Sequence, residues 1–76
     1  MTFAEAMTLV HSNPAGDGAV AVARPGWKGF VFYDATLFLG ISPFGFRFSR
    51  SKNEDGHPWS FELEDVLATD WEVVNP

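Results

Sequence analysis

A short turn in the middle of the chain concentrates residue types that suit ligand recognition. The segment 24–29 reads Arg-Pro-Gly-Trp-Lys-Gly, with one aromatic ring, two cations and two glycines. The indole of Trp27 offers a flat face to a base, while Arg24 and Lys28 offer charge-assisted hydrogen bonds to a phosphate. Gly26 allows the backbone to come close to a bound molecule. The structural alternative is that Trp27 closes one end of the core and both cations are solvated.

Two further tryptophans present the same choice. Trp59 is followed by a serine and Trp71 is preceded by Asp70, so indole N–H groups and a carboxylate are available to a pocket. Packing in the core or at an interface is the alternative for both rings. It is favoured for Trp71, because the valines that follow have a buried pattern. Asp70 also has a purely structural alternative, in which it accepts a hydrogen bond within a turn.

Catalytic chemistry has little support in the sequence. His11 and His57 lie in unlike contexts and show no metal-ligand spacing, so both are interpreted as surface polar residues. Glu62, Glu64 and Asp65 stand at a predicted helix start, where the helix dipole favours acids without any chemistry. The glycines match no phosphate-loop fingerprint, and without cysteine there is no thiol nucleophile or Cys-ligated zinc. We therefore predict a binding protein rather than an enzyme, with no metal and no cofactor.

These residues must be positioned by a small number of helices and strands. Thr2 and Glu5 have capping-box spacing, and apolar residues at three- and four-residue intervals predict an amphipathic helix that ends before Pro14. A second, two-turn helix is predicted around Leu63 and Leu67. β-Forming residues and alternation predict strands over residues 19–24, 30–39, 44–49, 57–60 and 70–74.

The order of these elements predicts an α+β fold. An N-terminal helix packs on a small antiparallel β-sheet, with the second short helix before the last strand. Asp55-Gly56 is a hairpin signal that pairs the segment 57–60 with the strand before it, and the last strand is of edge type. Both faces of the strand over residues 30–39 carry apolar side chains, so both are expected to be covered. We expect residues 1–76 to form a single domain.

Composition and charge limit the classes of partner. The chain has 76 residues and is 46% hydrophobic, yet eight Phe, three Trp and one Tyr exceed what one small core hides. Oligomerisation or an aromatic binding site is implied. The formal charge is −5, and the five Lys and Arg residues form no basic stripe that could bind duplex nucleic acid. One or two cations are nevertheless enough to bind a small anion. No apolar run reaches about 18 residues and the start lacks a basic signal-peptide region, so a cytoplasmic protein without membrane partners is expected.

Three segments in register resemble the phage Thoeris anti-defence two family. They are residues 1–6 (Met-Thr-Phe-Ala-Glu-Ala), residues 22–27 (Val-Ala-Arg-Pro-Gly-Trp), and Pro58-Trp59 followed by residues 65–74. The resemblance spans nearly the whole chain and implies an N-terminal helix on a small antiparallel sheet. It further implies a homotetramer with ligand pockets between protomers. Such proteins sequester, without cleaving, the cyclic ADP-ribose isomers made by bacterial Thoeris TIR proteins, and some bind cyclic dinucleotides of CBASS systems.

The resemblance also implies roles for individual residues. Trp27 stacks on a base, Asp70 accepts a hydrogen bond from a ribose hydroxyl or a base edge, and Phe3 and Trp59 line the pocket. Arg24 and Lys28 are added on chemical grounds, because a phosphate needs a donor. The turn departs from the family pattern, since no asparagine follows the tryptophan here. The predicted ligand-binding residues are Phe3, Arg24, Gly26, Trp27, Lys28, Trp59 and Asp70.

Two other functions remain open at this point. The first is an acidic protein–protein inhibitor of a bacterial defence nuclease, since relatives with this domain have been described as anti-CRISPR proteins. An acidic body with exposed aromatic rings is suited to covering a basic groove. The second is a nucleotide hydrolase. Recovery of an intact ligand contradicts the hydrolase, and direct binding to a nuclease supports the inhibitor.

Overall fold

The fold is a five-stranded antiparallel sheet with one helix packed on it and a second, short helix before the last strand. The computed structural model describes residues 1–16, 18–35, 45–51 and 56–74. The strand order in the sheet is β4-β3-β2-β1-β5, with antiparallel neighbours throughout. This confirms the predicted α+β class and the edge position of the last strand. The elements in chain order are α1 (Phe3–Ser12), β1 (Ala21–Ala23), β2 (Phe30–Asp34), β3 (Gly45–Ser49), β4 (His57–Pro58), α2 (Leu63–Leu67) and β5 (Glu72–Val74).

Helix α1 begins at the capping box that the sequence predicts. The Thr2 hydroxyl accepts from the Glu5 N–H at 3.2 Å, and the Glu5 carboxylate accepts from the Thr2 N–H at 2.8 Å. At the other end, the Asn13 side-chain amide donates to the Leu9 carbonyl at 2.9 Å. The buried apolar side of α1 consists of Ala6, Met7 and Val10. No helix in the described part of the chain is long and apolar enough to cross a membrane.

The strands are shorter than the apolar patterns predict. β1 starts at Ala21 because the Val20 N–H donates to the Asn13 carbonyl, within the preceding loop, at 3.1 Å. β5 starts at Glu72 because the Trp71 N–H donates to the Met1 carbonyl at 3.1 Å. β4 is limited to two residues that pair with β3. Parts of the predicted strands over 30–39 and 44–49, together with the Asp55 hairpin signal, lie outside the described residues.

The described part of β2 contributes buried apolar side chains to both faces of the sheet, while Phe32 is half-buried. Val31 and Tyr33 pack with the buried side of α1, whereas Phe30 packs with Ala21 and Ala23 on the opposite face. Trp71 belongs to the α1 side and is only 2% exposed. The prediction that Trp71 is a core residue is therefore confirmed.

A glycine allows the start of β2 to lie against β3. A Cβ added to Gly29 would lie 2.4 Å from Cζ of Phe48 and 2.6 Å from the carbonyl oxygen of Ser49. Both separations are far below van der Waals contact. The absence of a side chain at this position therefore lets the turn that carries Trp27 sit directly against the Phe48 ring.

Candidate functional site

The turn between β1 and β2 has the geometry that its sequence predicts. The Trp27 N–H donates to the Arg24 carbonyl at 3.2 Å, which closes a four-residue turn. Gly26 occupies the third position with φ at +86°. A positive φ at that position is the requirement of a type II turn, and proline suits the position before it. The turn fixes the direction in which the Trp27 side chain leaves the sheet.

Trp27 enters a cluster that contains all three tryptophans. Its ring centroid lies 5.2 Å from that of Trp71 and 6.2 Å from that of Trp59, and the last two are 6.1 Å apart. All three contacts are edge-to-face, an arrangement that places positive ring edges against negative ring faces. Trp71 is buried at the centre of the cluster, while Trp27 and Trp59 are half-buried. The two outer rings therefore keep surface that a ligand can contact.

A cleft of about 360 Å³ opens beside this cluster. Its volume lies within the range of about 300 to 1,000 Å³ that small-molecule sites occupy. Half-buried aromatic rings form its walls, and the exposed Lys28 side chain adds a cation. The lining residues are Trp27, Lys28, Phe48, His57 and Trp59. The cleft thus unites three of the predicted ligand-binding residues.

The cleft also includes His57 and Phe48, which are not among the predicted ligand-binding residues. His57 is exposed, as predicted, and Phe48 is half-buried in β3. The pairing of β3 with β4 places these two opposite each other in register, with ring centroids 5.7 Å apart. Eight residues separate Phe48 from His57, so a two-residue turn at Asp55-Gly56, which would place His57 opposite residue 54, does not predict this pairing.

The remaining predicted residues lie outside the lining of the cleft. Phe3 packs on the far side of the aromatic cluster, with its ring centroid 5.0 Å from Phe61 and 5.9 Å from Trp71. Gly26 supplies the positive φ that the β1–β2 turn requires. Arg24 and Asp70 belong to a separate ionic cluster, so the structure does not unite the predicted set in one pocket.

Arg24 is half-buried and paired with two carboxylates. Its Nε donates to Oδ1 of Asp70 at 3.0 Å, and its Nη1 donates to Oδ1 of Asp65 at 3.3 Å. Asp65 is buried, and its Oδ2 accepts from the Glu62 N–H at 3.0 Å, at the start of α2. The guanidinium therefore joins the β1–β2 turn to α2 and to the segment that leads into β5.

The ionic cluster and the aromatic cluster are connected through Trp71. The Trp71 Nε1–H donates to the backbone carbonyl of Asp65 at 3.0 Å. This bond satisfies the buried indole donor and holds Trp71 against Trp27. Asp70, next along the backbone, serves as the partner of Arg24 rather than as an acceptor within a turn.

The Arg24–Asp70 pair makes a pH-dependent contribution to stability. The hydrogen bond from Arg24 holds the pKa of Asp70 below its ordinary value. Because the folded-state pKa is the lower one, the contribution is complete above about pH 4 and is lost as the pH falls through the folded-state pKa. Urea unfolding between pH 7 and pH 2 measures this contribution. We expect the free energy of unfolding of wild type to be larger than that of Asp70→Asn at neutral pH, and the difference between them to shrink in acid. A difference that stays constant over this range contradicts the pairing.

Within the described residues, no group of three or more His, Cys, Asp or Glu is placed to hold a metal ion.

Comparison with known proteins identifies the family. No curated protein matches the chain. The chain does match the Tad2-like family, described as the Thoeris anti-defense 2-like domain, over residues 1–74. A match of this extent confirms the resemblance found in the three sequence segments. The chain therefore belongs to the Tad2-like family and has a role in anti-defence against Thoeris.

Proposed function

We propose that this protein binds and sequesters, without cleaving, a cyclic nucleotide immune signal, either a cyclic ADP-ribose isomer or a cyclic dinucleotide. The observation that carries the proposal is the cleft, in which Trp27 and Trp59 meet Lys28. Stacking of a base on an aromatic side chain contributes about 1–3 kcal/mol. A lysine beside such a ring provides a charge for the phosphate of the same ligand. Membership of the Tad2-like family independently supports an anti-defence signal as the ligand.

Each predicted residue has a place in this proposal. Trp27 and Trp59 contact the base, and Lys28 binds phosphate. Asp70, whose side chain is 49% exposed, accepts a hydrogen bond from a ribose hydroxyl or a base edge. Phe3 supports the cluster from behind Trp71. His57 joins the set as a polar group of the cleft.

Sequestration requires tight binding and slow release but no general acid or base. Residence time is governed by the dissociation rate, which buried stacking and charged hydrogen bonds reduce. The negative net charge slows the approach of an anionic ligand more than it speeds its release. We accordingly propose a non-catalytic protein with no cofactor, acting in the cytoplasm of the infected host and binding neither duplex nucleic acid nor membrane.

The test of this proposal separates binding from turnover. The protein is incubated with a panel of cyclic ADP-ribose isomers and cyclic dinucleotides, freed of unbound compound, heat-denatured, and its released material is chromatographed. Recovery of an intact compound supports sequestration and names the ligand. A converted product indicates an enzyme instead. If wild type retains no compound of the panel, the proposal is wrong.

An exposed apolar surface supports the further proposal of a homotetramer. Leu63 is 73% exposed and Leu67 is 70% exposed, one helical turn apart on α2. Phe61 and Val73 also expose half of their surface. Burying such side chains at an interface removes apolar area from water, with about 25 cal/mol gained per Å².

We expect Leu63→Ser/Leu67→Ser to lower the oligomeric state measured by light scattering at matched concentration. The side chains are already exposed, so the change leaves the fold of the protomer intact and circular dichroism serves as the check. Leu9→Ser, at a half-buried leucine of α1, is the control for loss of a leucine elsewhere; it is expected to retain the wild-type mass, and circular dichroism checks its fold as well. A double variant with the wild-type mass contradicts this interface.

The same surface favours the protein-inhibitor function as the second candidate. Leu63 stands between Glu62 and Glu64 at the start of α2, and Leu67 follows one turn later, so this end of the helix presents apolar side chains beside acids. Acids beside an apolar surface complement a basic partner such as a nuclease groove. A wild-type protein that is monomeric and retains no compound of the panel, but binds a purified nuclease, supports the inhibitor.

A further inference from the structure

Two of the three guanidinium nitrogens of Arg24 have carboxylate partners within the chain. Nε contacts Asp70 at 3.0 Å and Nη1 contacts Asp65 at 3.3 Å; Asp65 belongs to α2 and Asp70 to the segment that leads into β5. Among the described residues, Asp65 is the buried carboxylate, and its Oδ2 also accepts from the Glu62 N–H. Arg24 is therefore held from the interior side by Asp65 and holds Asp70 on the exposed side.

We infer that Arg24 is a positioning residue for Asp70 and not a ligand of phosphate. Arg24 fixes Oδ1 of Asp70, and Oδ2 of the same carboxylate accepts the hydrogen bond from the ligand. The inference rests on the proposed function and assigns to Arg24 a role different from the one that its charge alone predicts.

The energetics of the buried carboxylate favour this role. If Arg24 turned toward a ligand phosphate, Asp65 would lose its cationic partner while remaining in the interior. An uncompensated buried charge is strongly destabilising, whereas a phosphate at the protein surface is also solvated by water. Lys28 lines the cleft beside Trp27 and is the cation placed to contact phosphate.

The orientation of Asp70 matters for recognition because hydrogen bonds are directional. A carboxylate on a free side chain samples several rotamers, and ordering it on binding costs entropy. A carboxylate already fixed at one oxygen loses less entropy when the second oxygen accepts from a hydroxyl or an N–H. Asp70 is ionised, and therefore an acceptor, at neutral pH with or without Arg24, whose hydrogen bond lowers its pKa further.

A double-mutant cycle distinguishes an indirect role from a direct one. Affinities for the panel compound that wild type retains are measured by calorimetry for wild type, Arg24→Gln, Asp70→Asn and the double variant. If Arg24 acts through Asp70, Arg24→Gln weakens binding by about tenfold in the wild-type background and by less than about twofold beside Asp70→Asn. An equal loss in both backgrounds overturns the inference and restores Arg24 as a phosphate ligand.

Lys28→Gln provides the matched control for the cycle. Lys28 contacts the ligand directly in the proposed function. We therefore expect Lys28→Gln to weaken the affinity by the same factor in the wild-type and the Asp70→Asn backgrounds. Circular dichroism reports whether each variant is folded, and Arg24→Lys replaces Arg24→Gln in the cycle if the glutamine variant is not. A wild-type protein that retains no compound contradicts the proposed function itself, and this role of Arg24 with it. Additive losses in a wild-type protein that does bind overturn the inference alone.

Discussion

Trp27→Leu is expected to weaken ligand binding by about 5- to 150-fold, which corresponds to the loss of about 1–3 kcal/mol of base stacking. Leucine is apolar and fills part of the indole volume, so the change removes the flat face more than it opens the core. The measurement is the dissociation constant of the retained panel compound, determined by calorimetry.

The choice of leucine follows from the packing of Trp27. Its ring centroid lies 5.2 Å from that of Trp71 and 5.9 Å from that of Phe48. An alanine variant would therefore lose stability as well as binding. Trp27→Phe keeps an aromatic face and is the matched control, expected to retain most of the affinity. Thermal unfolding of both variants reports on the structural role. A leucine variant that binds as tightly as wild type shows that Trp27 serves the core alone.

Trp71→Ala is expected to unfold the isolated protomer. Truncation of a buried tryptophan costs about 3–5 kcal/mol, and the core of so small a domain supplies about 3–5 kcal/mol in total. Trp71 is 2% exposed and contacts Phe3, Trp27 and Trp59 through its ring. Far-UV circular dichroism and urea unfolding at low protein concentration measure the effect.

Trp71→Phe separates ring packing from the indole hydrogen bond. Phenylalanine keeps an aromatic ring in the cluster but removes the Nε1–H that donates to the Asp65 carbonyl at 3.0 Å. Leaving that buried carbonyl without its donor costs about 1–3 kcal/mol, so we expect an intermediate loss of stability. An alanine variant with the wild-type urea midpoint contradicts the assignment of Trp71 to the centre of the core.

Several elements of the fold were predictable because local interactions determine them. The capping box at Thr2 and Glu5 acts over three residues, and the turn at Gly26 depends on a single positive φ. These features follow from periodicity, capping and backbone sterics, which act over a few neighbouring residues.

The candidate site was predictable only in part, for the same reason. Trp27, Trp59 and Lys28 were chosen for their chemistry, and the structure brings them into one cleft. The presence of His57 depends on the register between β3 and β4. A lone histidine after a turn carries no sign of the strand that it faces.

Patterns along the chain predict the α+β class, the helix start, the turn at residues 24–27 and the family. The partners of Arg24 depend on the tertiary structure, because 41 and 46 residues separate Arg24 from Asp65 and Asp70. Asp65 and Asp70 each have a local explanation, as a helix-start acid and as a turn acceptor, and no pattern along the chain prefers the ionic cluster. The fold decides it, since packing of α2 beside the β1–β2 turn buries one carboxylate and makes a cationic partner necessary.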